Sequence, residues 1–326
     1  MIKMNDMEKV VEVIKERDNF VLGAHVGPDG DSLGGLIAMG SFLKQMDKKY
    51  CLSASDAKHV IPPQYKFLPG IDTIKESSEC FEPEVFISLE CPALDRLGVN
   101  NKLAEKAEIL LNIDHHGDNA NYGDVNWVEA KKSSICEMIY DMSKFLPVKL
   151  DKDIAQSLYV GILTDTGRFQ YSNVRPDTFE AAKELLKFDL DTNAIFRDIY
   201  ENRSYHSTVL LGEVIAKAVF HKNKGFAYSS ITNEDFLLNN IGVGETEHFI
   251  DFLRAIKGVE IAAIFKEVSP KETKISLRST NGYDVSKIAE KFGGGGHAAA
   301  SGYTSHKPLK DAIDDLVGTV NNVRSS

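Results

Sequence analysis

Apolar residues along the first half of the chain follow two alternating rhythms. Short, mostly apolar runs at Phe20 to Ala24, Val85 to Leu89 and Ile109 to Ile113 read as buried strands. Helical spacing marks the charged N-terminal stretch Met1 to Asp18, then about Ser32 to Met46, Ser133 to Phe145, Asp153 to Leu163 and Asp177 to Leu186. Strands alternating with helices predict βαβ units around a largely parallel sheet. Each of the three strands runs into a residue with chemistry of its own: His25, Glu90 and Asp114. Open α/β sheets bind ligands at the carboxyl ends of their strands, so these three are expected to share a crevice.

The second half carries a separate pattern. Gly225 to Ile231, Val259 to Phe265 and Thr273 to Leu277 read as strands, with helices expected over Glu245 to Ile256 and Leu309 to Val323. The predicted fold class is therefore α/β, with a parallel-sheet domain over 1–188, a linker over 189–206 and a smaller α/β domain over 207–326. The run Gly293-Gly294-Gly295-Gly296 before His297 is read as a packed turn leading into a helix, whose N-terminus would suit a phosphate.

Composition narrows the class without changing the picture. At 326 residues, with 43% hydrophobic and 26% charged residues, the chain can bury two ordinary cores. No apolar run reaches the ~18 residues of a membrane span, and the N-terminal stretch lacks a signal peptide's apolar centre. The four cysteines (Cys51, Cys80, Cys91, Cys136) form no CxxC pair, and the expectation is reduced thiols in a cytoplasmic protein. A net charge of −10 argues against gripping long duplex DNA, which calls for a basic stripe. A short nucleotide remains compatible, because divalent cations held by acidic residues would make a site locally positive.

Three constellations carry candidate chemistry. His25, Asp29 and Asp31 follow the first strand as HxxxDxD, an imidazole and two carboxylates suited to neighbouring cations; a solvated turn is the bland alternative. A calcium loop counted from Asp29 fails, because its twelfth position is Gly40 and not Glu. Asp114-His115-His116 follows the third strand, where unpaired charge would be costly to bury without a metal. Asp165 in Thr164-Asp165-Thr166-Gly167 would by itself be a cap or a turn residue.

In this order the motifs resemble those of the DHH phosphoesterase superfamily. The C-terminal half, with Arg278-Ser279 and Gly293 to His297, is similar to the DHHA1 domain. The resemblance spans nearly the whole chain and is strongest to the stand-alone nanoRNase/pAp-phosphatase group. It implies two Mn2+ ions, with Mg2+ or another divalent cation as substitutes. One would be held by His25, Asp29 and residue 90, the other by Asp31, His115 and Asp165, with residue 90 bridging. It also implies that His116 contacts the scissile phosphate, that Asp114 supports it, and that Arg278, Ser279, Gly294, Gly295, Gly296 and His297 bind substrate. The implied activity is hydrolysis of short RNA such as pApA to mononucleotides, with dephosphorylation of pAp. No membrane partner is expected, and a homodimer is left open.

The chain departs from the family at one position. The bridging residue, ordinarily Asp, is Glu90, which moves the carboxylate by roughly 1.5 Å if the backbone stays put. Two alternatives stand beside the implied activity: cleavage of cyclic dinucleotides such as c-di-AMP, a close relative of it, and, motivated by Glu90 alone, a nucleotide-binding protein whose activity is weakened at that position.

Overall fold

A computed structural model describes residues 5–54, 61–280 and 282–323. The chain divides into two compact units, Met1–Ile199 and Tyr200–Ser326.

In the first unit, α1 (Asp6–Glu16) starts at a capping box, Asn5 with Glu8, and buries Val10, Val11 and Ile14. Residues 1–4 of the helical stretch expected at the N-terminus lie outside the described residues. The chain continues through β1 (Phe20–Ala24), α2 (Gly30–Gln45), β2 (Tyr50–Ser53), β3 (Ile74–Lys75) and β4 (Val85–Leu89). Next come a short α3 (Asn101–Ala104), β5 (Ile109–Asp114), β6 (Val125–Val128), α4 (Ile135–Ser143), α5 (Lys152–Asp165) and α6 (Pro176–Leu186). The strands pair in the order β3-β2-β1-β4-β5-β6, every pairing parallel. β1 and β4 are buried at every position, which is why they read as continuous apolar runs. The expected linker instead contains α7 (Thr192–Phe196) and a π-helical turn, Arg197–Glu201.

Helix α2 is buried along most of its length, and glycines let α5 approach it. A Cβ on Gly34 would collide with the Ser157 carbonyl, and one on Gly30 would stand 2.6 Å from Thr164 Oγ1. One expectation fails in this unit. Cys51 on β2 and Cys80 form a disulfide across a Cα–Cα distance of 5.8 Å, so these two are not reduced thiols. They stand 29 positions apart in the chain, and the fold of the crossover after β2 brings them together. Cys91 and Cys136 are free and buried, as expected; burial pushes the Cys91 thiol up to about 12 and Cys136 well above its usual range.

The second unit runs α8 (Tyr205–Ala216), β7 (Val219–His221), β8 (Phe226–Ile231), α9 (Asn233–Asn239), α10 (Phe249–Arg254), β9 (Ile261–Ser269) and β10 (Glu272–Ser279). It ends with α11 (Ser286–Glu290), β11 (Gly295–His297), β12 (Ala300–Ser305) and α12 (Leu309–Val323). Its sheet order is β11-β12-β10-β9-β8-β7, with only β8–β9 parallel. One face packs Ile261, Ala263, Phe265, Ile275, Leu277 and Tyr303 against α11 and α12. The other packs Ala227, Ile231, Ala262 and Ile264 against α8, α9 and α10.

Two expectations are corrected here. The helix over Glu245 to Ile256 splits into a 3-10 turn, Val243–Thr246, and α10, because His248 between them is left-handed (φ 64°). The glycine run leads into a β-hairpin and not a helix, with Gly296 paired to Ser301 and His297 to Ala300. Gly294 lies so close to Gly302 and Tyr303 that a Cβ has no room, and Gly296 has φ +131°. No helix N-terminus follows the run, so that phosphate-site argument lapses.

Candidate metal centre

The carboxyl ends of β1, β4 and β5 bring their polar residues together, and α2 and α5 add theirs. Asp29 is the N-cap of α2; its Oδ1 accepts from the Asp31 and Ser32 amides at 3.0 and 3.1 Å. Asp31 thus stands in the first helical turn, not in a loop. Its carboxylate is fully buried and accepts from the amides of Ile135 (2.6 Å) and Cys136 (3.0 Å) at the start of α4. Gly161 of α5 makes room, since a Cβ there would lie 2.5 Å from Asp31 Oδ1. Glu90 turns off β4 in the left-handed region (φ 53°), with its amide bonded to the Ile113 carbonyl at 3.0 Å. A non-glycine residue held there signals a positional demand.

His25, Asp29 and Glu90 each offer a ligand atom within 4.8 Å of the others, and so do Asp31, Glu90 and His115. Glu90 belongs to both sets. His115 Nε2 lies 3.6 Å from Asp31 Oδ2 and 3.6 Å from Asp165 Oδ2, which brings the end of α5 to the second set. His25 Nε2 lies 3.7 Å from Glu90 Oε2. That Oε2 is buried and meets no hydrogen-bond donor among the described residues. A buried orphan oxygen beside imidazole and carboxylate donors fits a cation.

The electrostatics agree. Burial, and next the charge of Asp29, push Asp31 up to about 7. Burial together with Asp29, Asp31, Asp165 and Asp114 holds Glu90 well above the usual carboxylate range. Burial lowers His25, and burial with the neighbouring His116 pulls His115 down to about 4, so both imidazoles are neutral and able to ligate. Divalent cations would relieve the carboxylate repulsion.

Asp114 faces a different task. Burial pushes its carboxyl up, but His116 outweighs this and holds it below the usual range; the same 2.8 Å contact from His116 Nδ1 raises His116 against its own burial. Asp114 also accepts from the amides of His115 and His116 and from the Asn119 side chain. Asn119 further donates to the Cys91 carbonyl beside Glu90. It therefore ties the β4 and β5 corners together, a role no motif reading had attached to it.

Within the second unit, strand register places Arg278, Ala300 and His297 in one row across β10, β12 and β11. The Ser279 hydroxyl lies within hydrogen-bonding reach of the Tyr283 and Ala298 carbonyls, so it shapes the hairpin turn.

Similar proteins place this geometry in a family. The model of the DHH family N-terminal domain matches residues 19–162, and that of the DHHA1 domain matches 223–325. The curated bifunctional oligoribonuclease and PAP phosphatase NrnA of Thermus thermophilus is 29% identical, over 91% of this chain and 88% of its own length. The protein of that name from Bacillus subtilis is 27% identical, over 90% and 91%. The crystal structure of an exopolyphosphatase-related protein from Bacteroides fragilis shares the fold with a TM-score of 0.87 at 24% identity, covering 97% of this chain and 96% of that one. With both models matched in chain order, this chain belongs to the DHH/DHHA1 phosphoesterase family, hydrolases of phosphoric ester bonds.

Proposed function

We propose that the protein is a manganese-dependent phosphodiesterase that shortens oligoribonucleotides such as pApA to mononucleotides and removes the 3′-phosphate of pAp. The observation that carries this reading is the pair of donor sets sharing Glu90, whose buried Oε2 meets no hydrogen-bond donor among the described residues. His25, Asp29 and Glu90 would hold one cation; Asp31, His115, Asp165 and Glu90 would hold the second. Two imidazoles among carboxylates favour a borderline cation such as Mn2+ over the all-oxygen shells of Ca2+ or Mg2+. Such cations supply an activated water and neutralise charge on the phosphoryl oxygens.

The chain's own residues do the rest. His116, kept protonated by Asp114 at Nδ1, presents Nε2 as a donor to a phosphoryl oxygen. Asn119 and the two backbone amides keep Asp114 aimed at His116. In this reading 1–188 is catalytic, 189–206 connects, and 207–326 binds substrate through Arg278, Gly294, Gly295, Gly296 and His297, with Ser279 setting the turn. The curated NrnA relatives, named for both activities and covered over most of their length, support this substrate class. Purified protein with Mn2+ should release AMP from pApA and phosphate from pAp while sparing c-di-AMP. Absence of turnover on all three would sink the reading.

A further inference from the structure

The first turn of α4 holds a buried carboxylate that the proposed mechanism leaves unused. Glu137 is 1% exposed, and it is not among the candidate ligands. Its Oε2 accepts from the Ser133 amide (3.1 Å), from the Ser133 hydroxyl and from the Thr178 hydroxyl of α6 (3.0 Å). Its Oε1 accepts from Lys132 Nζ at 2.9 Å, and the same ammonium reaches Asp141 Oδ2 at 2.6 Å. Taking a carboxylate out of water is costly; these donors offset the cost, and in giving their hydrogens they are themselves fixed in place.

The segment so clamped is the one that holds the second donor set. The Lys132 carbonyl lies 3.3 Å from His115 Nδ1. A carbonyl only accepts, so Nδ1 carries the proton, and the Nε2 lone pair is turned toward Asp31 and Asp165, each 3.6 Å away. A little further along, the amides of Ile135 and Cys136 grip the Asp31 carboxylate at 2.6 and 3.0 Å. Between these points Asn173 donates from Nδ2 to the Ser133 carbonyl (2.9 Å) and to the Asp165 carbonyl (3.1 Å). Lys132 to Cys136 is therefore tied to Asp31, His115 and Asp165 in turn. The hydrogen bonds of His25 and Asp29 run elsewhere, to the Val26 carbonyl and to the first amides of α2.

We propose that Glu137 is a positioning residue for one cation of the pair: by clamping Lys132 and Ser133 it sets the tautomer and aim of His115 and the placing of Asp31 and Asp165. It thus governs the affinity of the second cation without touching it. This rests on the ligand assignment proposed above and adds a residue outside the ligand set that controls one ion and not the other. Asp141 supplies an internal contrast. It shares Lys132 Nζ with Glu137, but its carboxylate also pairs with exposed Lys144 at 2.7 Å.

The test is equilibrium dialysis of the full-length chain against Mn2+, together with 15N NMR of its imidazoles in chelator. The wild type should bind two ions, and metal-free His115 should carry its proton on Nδ1. Glu137→Gln keeps the size but leaves either Lys132 or the Ser133 and Thr178 donors facing an amide N–H. It should weaken one ion about 10–100-fold, hold the other within a few-fold, and give His115 a mixture of tautomers. Combined with Asp165→Ala it should bind the remaining ion as Asp165→Ala does alone, which identifies the weakened ion as the second. Lys132→Met, which keeps the backbone carbonyl but releases the clamp, should weaken the same ion about 10-fold, and Lys132→Arg should recover part of that; this pair decides the matter if Glu137→Gln does not fold. Asp141→Asn should leave both ions within a few-fold. Wild-type binding of both ions by Glu137→Gln or Lys132→Met, or equal weakening of both ions in a folded chain, would overturn the proposal. A wild type that binds fewer than two ions would contradict the ligand assignment itself.

Discussion

The two units solve opposite electrostatic problems. In the first, buried negative charge accumulates: Asp31 and Glu90 are lifted above the usual carboxylate range by burial and by one another's neighbours. In the second, positive charge is stranded, with Lys266 lowered to about 8 by burial and then by Arg278 and Lys274 despite Glu247. The first calls for cations, which would relieve that repulsion; the second leaves a buried lysine beside two further cations. What differs is reinforcement. Asp31 is gripped by two amides and Asp114 by two amides and Asn119, whereas Lys266 has no such support.

The largest expected effect lies on the acidic side. Asp31→Asn or Asp165→Ala should reduce pApA hydrolysis by more than about 1000-fold, because ligands of one centre act as a unit. Activity within tenfold of wild type would break the assignment. His116→Asn comes next, at about 100–1000-fold in kcat with a smaller change in KM, as expected for a donor that matters most in the transition state. Asn119→Ala should cost about 10–100-fold in pApA hydrolysis through the loosened Asp114; Asn119→Gln, which returns an amide donor, should recover part of the loss, and Asn119→Asp, which returns none, should not. Glu90→Asp should remain within about tenfold of wild type, since the corner at φ 53° already aims a carboxylate at both donor sets. A large gain from Glu90→Asp would show that the longer side chain weakens the site.

These sites were unequally legible in the chain. The strands ending at His25, Glu90 and Asp114 declared themselves because burial on both faces keeps them mostly apolar, with only Ser88 and Asn112 as polar interruptions before their ends. Strands of two to four residues such as β3, β2 and β6 carry too little pattern to be seen. Gly293 to Gly296 was recognisable as a special backbone, but its partner strand, Ala300–Ser305, was hidden in small residues that suit either a turn or a helix start. Lys266 was invisible for another reason: a lysine at the end of an apolar run reads as the point where the strand meets solvent. Asn119 and the Cys51–Cys80 bond depend on contacts that cross between strands, which no local pattern records.

The smallest expected effect concerns stability on the basic side. Lys266 has a folded-state value near 8, below that of a lysine in the unfolded chain. Below pH 8 both states hold the proton and the burial penalty is complete. Between about pH 8 and the ordinary lysine range the unfolded chain binds more protons, so this group makes stability rise with pH. Urea unfolding of wild type against Lys266→Met should show that rise, of order 1 kcal/mol, only in the wild type. Parallel pH curves for the two proteins would remove the buried charge from the account.

The central claim is that one acidic centre holds two cations through Glu90. Equilibrium dialysis of the full-length chain against Mn2+ tests it most directly. The wild type should bind two ions per chain and Asp165→Ala one at the same free concentration; two tightly held ions in Asp165→Ala, or none in the wild type, would contradict it.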